Sequence, residues 1–154
     1  MLILLVCTLV ACEEDTMHNP VPKYPVGFRI NTKMGMYVHF RPDNVGTWLI
    51  LNKEGFTLSN GQHLPSTPSD AMGYSGVLVY INNNAEYCAF DLCCPHCLLR
   101  DKPVYVDGFF AICPTCEEHF DLSFGYAIPT KGIAKYALLR YHTTYIDDVL
   151  TVRN

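Results

Sequence analysis

"CCPHCLLRDKPVYVDGFFAICPTCEEHFDL", Cys93 to Leu122, holds five of the chain's eight cysteines and two of its six histidines. Two segments inside it share one design, Cys94-Pro95-His96-Cys97 and Cys113-Pro114-Thr115-Cys116. Each is C-P-x-C, and together they read C-x2-C-x15-C-x2-C. Cysteines three apart across a tight turn aim both sulfurs at one point, with backbone N–H groups turned toward them. Two such turns facing each other make a tetrahedral thiolate cage. The competing reading is two disulfides. Within one C-P-x-C the short loop strains the bond, whereas bridges between the two segments stay open. Spacing alone favours zinc or a lone iron.

Outward from this stretch the chain reads as strands. "VGFRI", "GMYVHF", "TWLIL", "GVLVYI", "YCAFD", "GFFAIC", "YALLRYH" and "VLTV" are short runs rich in β-branched and aromatic residues. Turn signals separate them, at Arg41–Asn44, Ser59-Asn60-Gly61, Asn82-Asn83-Asn84, Asp107-Gly108 and Asp147-Asp148. The expectation is one all-β domain over 26–154, a sandwich or small barrel, with metal-binding loops at about 91–122. Asn60 to Gly73 reads as a surface loop. A hydrophobic content of 49% is globular, and a net charge of −4 without a basic stripe argues against nucleic-acid binding.

Met1 to Ala11, "MLILLVCTLVA", is apolar but too short to span a bilayer, and reads as the core of a secretion signal. It ends in Leu9-Val10-Ala11-Cys12, which resembles the lipobox of bacterial lipoproteins, where the Cys carries the lipid. The resemblance implies anchoring through Cys12 to a bacterial membrane, facing the periplasm or the cell surface, with the outer membrane favoured. The acidic run Glu13-Glu14-Asp15 resembles the surface-export signal of some Gram-negative lipoproteins, and a merely solvated run is the alternative. Residues 12–25, with Pro20, Pro22 and Pro25, read as an extended tether.

The surroundings of the cysteines resemble the Rieske iron–sulfur family, over about Ser75 to Val152, half the chain. That family has a first loop C-x-H, some fifteen to seventeen residues, then C-x2-H, with Phe-Asp and Gly beyond. "YCAFDLCCPH" matches the strand and first loop, giving Cys94-x-His96. "HFDLSFGYAIP" resembles the segment after the second loop, "KYALLRYHTTYIDDVLTV" the closing strands, and "SGVLVYINNNAEYCAFD" the hairpin upstream. The pattern departs at Cys116, which stands where the family has its second His; His119 falls just outside the ligand position. The positions of the loop-bridging disulfide of some members hold Leu99 and Thr115, so that bridge is absent.

Three ligand sets therefore stand open. The resemblance implies Cys94, His96, Cys113 and Cys116 on a 2Fe-2S cluster. The spacing implies Cys97 in place of His96, on a single zinc or iron. Literal C-x-H and C-x2-H matching gives Cys94, His96, Cys116 and His119. An unmetallated site is the remaining alternative. A thiolate in place of an imidazole makes a cluster more negative and lowers its potential, below the Rieske range of about −150 to +300 mV. Cys88 reads as a buried small hydrophobe, and Cys93 points away from Cys94 along the strand. His18, His39, His63 and His142 read as surface or satisfied core groups, and Tyr136 to Tyr145 as packing residues. There is no G-x-S-x-G and no phosphate-binding Gly loop. The expectation is a non-enzymatic, lipid-anchored electron carrier with an unidentified redox partner protein. The alternative is a structural or binding lipoprotein with a four-cysteine zinc site or no metal.

Overall fold

Residues 18–65 and 71–154 are described in the computed structural model of the chain. Among them the only helical segment is a five-residue 3-10 turn, Gly35–His39. Thirteen strands follow in chain order: β1 (Val26–Asn31), β2 (Trp48–Asn52), β3 (Gly55–Leu58), β4 (His63–Leu64), β5 (Ala71–Met72), β6 (Val77–Ile81), β7 (Tyr87–Asp91), β8 (Tyr105–Asp107), β9 (Phe110–Ile112), β10 (His119–Asp121), β11 (Ile128–Pro129), β12 (Arg140–Ile146) and β13 (Val149–Arg153). The all-β expectation holds. The proposed signal, the lipidation residue Cys12 and the run Glu13–Asp15 lie outside the described residues.

Nine strands form one antiparallel sheet in the order β4-β3-β2-β6-β7-β12-β13-β1-β5. Its middle is a hairpin in which Val77 pairs with Asp91 and Ile81 with Tyr87. The Asn82 side chain builds the turn, because its Oδ1 accepts the N–H groups of Asn84 and Glu86. At the β12–β13 corner both Asp147 and Asp148 have positive φ, the backbone that a two-residue hairpin loop demands. The sheet curls on itself. Phe28 of β1 and Phe56 of β3, far apart in strand order, meet edge to face at 5.7 Å.

Burial explains the patterning. β1 alternates buried and exposed residues, so it faces a core on one side and solvent on the other. β6 and β7 are buried at every position. Val77, Val79, Ile81 and Ala89 point into the core inside the curl. Leu78, Tyr80, Cys88 and Phe90 point the opposite way, into a second core with Phe120 and Leu122. This second core is covered by a small antiparallel sheet, β11-β10-β9-β8. That sheet carries the cysteine-rich stretch.

Four expectations need adjustment. "GMYVHF" is not a strand. Gly35 has φ +54, which ends extended pairing, and the Phe40 N–H closes back on the Tyr37 carbonyl at 2.8 Å. This turn delivers the Phe40 ring into the core, where it packs on Tyr87. "YALLRYH" becomes strand only from Arg140. Within 60–73, the described residues include two short strands, β4 and β5, on opposite margins of the large sheet. The described part of the expected tether, 18–25, lies against the body: Asn19 Nδ2 donates to the Ala137 carbonyl at 2.8 Å, and Val21 is 2% exposed.

Candidate metal centre

The first C-P-x-C turn leaves β7 through Leu92 and Cys93. Its stem is tied down by the carboxylate of Asp91, which is fully buried. Asp91 Oδ1 accepts the N–H groups of Cys93 and Ser75, and Oδ2 accepts the Tyr74 N–H and the Tyr141 hydroxyl, both at 2.7 Å. A buried carboxylate is tolerable only when so fully paired. The second turn leaves β9 directly.

The two turns close in the same way. Leu98 N–H donates to the Cys94 carbonyl at 2.9 Å, and Glu117 N–H donates to the Cys113 carbonyl at 3.0 Å. The residue after each second cysteine is left-handed, with φ +55 at Leu98 and +58 at Glu117. Each such closure turns two backbone N–H groups onto the first sulfur, from His96 and Cys97 onto Cys94 and from Thr115 and Cys116 onto Cys113. That arrangement favours thiolates.

All four sulfurs, of Cys94, Cys97, Cys113 and Cys116, lie within 4.8 Å of one another. Two contacts between the turns, Cys94–Cys116 and Cys97–Cys113, are each 3.8 Å. A tetrahedral ion with metal–sulfur bonds of about 2.3 Å requires sulfur–sulfur edges of about 3.8 Å, so the donor set fits a metal ion in identity and size. Cys94 and Cys113 are buried at 1% and 0% exposure, while Cys97 and Cys116 are half-buried. All six described cysteines are free, so no disulfide occupies this place.

Without an ion, burial weighs against the charged forms of Cys94, Cys97 and Cys113. Burial raises Cys94 despite its two N–H donors. Burial and the neighbouring thiols of Cys116 and Cys113 push Cys97 up to about 12. Burial also opposes ionisation of Cys113, but the N–H groups of Cys116 and Thr115 and the neighbouring thiols outweigh it, and its pKa is lowered. A dication would supply the charge that lets all four ionise.

The structure brings Cys94, Cys113 and Cys116 together with Cys97. His96 is exposed and outside this group. His119 is half-buried on β10, its ring 5.5 Å from that of Phe110. Cys88 is buried against Asn82 Nδ2, and buried Cys93 turns to the Cys94 carbonyl.

Sequence reading passed over Glu118. Its carboxylate is fully buried and accepts five backbone N–H groups. Oε1 takes those of His119, Thr130 and Lys131; Oε2 takes those of Ile133 and Ala134, at 2.6 and 2.8 Å. Burial works against this carboxylate, yet the N–H groups of Ala134, Lys131, Ile133 and His119 hold its pKa below the ordinary range. Glu118 therefore does for the second turn what Asp91 does for the first. It locks the turn's exit to the 130–134 loop. The one available signal was an acidic residue between a metal-type turn and a strand.

Comparison of the chain with family models, with curated proteins and with solved structures finds no match.

Proposed function

We propose that the chain is a metal-binding protein in which Cys94, Cys97, Cys113 and Cys116 hold one tetrahedral ion, zinc, in a structural role. The observation that carries this reading is the mutual approach of all four sulfurs within 4.8 Å. A two-iron cluster divides its ligands between two irons with sulfides between them, so the two ligand pairs must stand well apart. One ion makes all six edges alike. Four thiolates also leave no open position for substrate, in keeping with a structural rather than a catalytic site. The ion would clamp the turns at the head of the small sheet, whose strands of two or three residues give little pairing of their own. The resemblance to the Rieske family is then one of frame, with the ligand set changed at Cys97 and Cys116. The apolar run ending at Cys12 supports anchoring through a lipid at that residue.

A second reading keeps the four sulfurs but fills them with iron, as a one-electron carrier. It is favoured by the half-buried sulfurs of Cys97 and Cys116, which bring the metal close to a partner's surface. Elemental analysis and the visible spectrum of anaerobically purified protein decide between them. One zinc per chain and no colour supports the structural centre. One iron with thiolate charge-transfer bands supports the carrier. Two irons with acid-labile sulfide would overturn the single-ion cage. His96→Ala should leave metal content unchanged, whereas Cys97→Ala should abolish it; the reverse result would restore His96 as a ligand.

A further inference from the structure

Resting on the four-thiolate reading above, we propose that the centre is an oxidation switch, in which a peroxide converts it to two disulfides, Cys94–Cys116 and Cys97–Cys113, and releases the ion. The pairing follows two sulfur–sulfur contacts that run between the turns. Each 3.8 Å contact crosses from one turn to the other, and each joins a half-buried sulfur to a fully buried one. Cys116 and Cys97 are the half-buried residues of each pair, and Cys94 and Cys113 the buried ones. Attack and resolution are thus assigned to different residues. An outer thiolate attacks the peroxide O–O bond, becomes a sulfenic acid, and the other oxygen leaves as water after protonation. The inner sulfur then attacks the sulfenic sulfur, forms the S–S bond and expels the second oxygen as water. Over the whole centre, two hydrogen peroxides and four protons take four thiolates to two disulfides, four waters and the free dication. Four thiolate sulfurs are oxidised and two peroxides reduced.

Closure from 3.8 Å to a disulfide bond of about 2.04 Å is a small movement once the ion no longer holds the sulfurs apart. Bridges between the turns keep the head of the small sheet closed, so the oxidised chain retains its fold. Bridges within Cys94–Cys97 or Cys113–Cys116 would instead close short C-P-x-C loops that strain the bond. Cys88 and Cys93 lie outside the four-sulfur group, Cys88 against Asn82 and Cys93 turned to the Cys94 carbonyl.

The test uses the purified full chain. Its metal content is measured first, then hydrogen peroxide is titrated in while a chromogenic chelator reads released ion. Disulfides are mapped by mass spectrometry of alkylated, non-reduced peptides. The expected result is loss of the ion at about two peroxides per chain, the two named bridges, and recovery with dithiothreitol and zinc. In Cys94→Ser, dimedone should label Cys116 while Cys97–Cys113 still forms. Should that variant not fold, the wild-type map alone decides. Bridges within a turn, a Cys94–Cys113 or Cys97–Cys116 pairing, sulfinic acid at the outer cysteines without disulfide, or an ion retained under excess peroxide would each overturn the switch. A chain isolated without metal would instead sink the metal-binding function, and the bridge map of its free thiols would still judge the switch.

Discussion

Glu118→Gln tests whether a buried carboxylate holds the cysteine-rich head together. The substitution keeps the shape and removes the charge. Placed with its oxygen toward His119, Thr130 and Lys131, the amide turns its NH2 onto the N–H groups of Ile133 and Ala134. Those two bonds are the shortest of the five apart from that of Lys131, and both are lost. Each stranded donor costs about 1–3 kcal/mol, and the three surviving bonds lose their ionic character. The opposite rotamer strands three donors and is worse. The expected loss is about 3–6 kcal/mol, a large part of a typical domain's stability of about 5–15 kcal/mol. Urea unfolding at one fixed zinc concentration reads it, since an ion held by the four cysteines would add its own mass-action stabilisation. With a slope of about 2 kcal/mol/M, the midpoint should fall by about 1.5–3 M. A loss below about 1 kcal/mol would refute the reasoning and show that the 130–134 loop is held by other contacts.

Three further outcomes follow from the packing around the site. Tyr141→Phe removes a hydroxyl that donates to buried Asp91 at 2.7 Å, and should cost about 1.5–3 kcal/mol in the same denaturation assay. Gly125→Ala places a Cβ 2.3 Å from Cys88 Sγ and 3.0 Å from Asn82 Nδ2 at φ +77, and should lower the melting temperature sharply; adding Cys88→Ala should recover part of the loss, leaving the approach to Asn82 and a backbone penalty of about 1–2 kcal/mol. Exposed Lys33 holds the half-buried carboxylate of Asp148 below its ordinary pKa through a 2.6 Å ion pair. That contribution is present above the unfolded carboxylate's pKa and is lost as pH falls through the lower folded value. Wild type and Lys33→Ala should therefore converge in stability in strong acid and in high salt. A difference that persists in both media would show that Lys33 acts through packing.

The paired C-P-x-C turns were legible because a tight turn between cysteines three apart has few ways to point its sulfurs. Which neighbour completes the set was not, since His96 and Cys97 are adjacent. What separates them in space is the Leu98 N–H bond to the Cys94 carbonyl, with Leu98 left-handed at φ +55 and without the glycine that would announce such a turn. The long strands β1, β2, β6, β7 and β13 were visible from their apolar runs and bounding turns. "GMYVHF" has the same composition as a strand, and only the placement of Phe40 in the core overrides it. β8, β10 and β11 are too short to show a period. The Glu118 cage left no trace because most of its partners are backbone groups twelve to sixteen residues away, and backbone groups carry no residue code.

The β6–β7 hairpin is a party wall. One side lines the curled sheet, and the other supports the roof that carries the cysteines. Leu78, Tyr80, Phe90 and Leu92 on that second side are each at most 1% exposed. Stripping the roof away would wet all four, at about 1.5–3 kcal/mol apiece, a sum comparable to the stability of a whole domain. The cysteine-bearing head is therefore no detachable ornament: if it frays, the rest of the molecule must stand with an oily flank open to water.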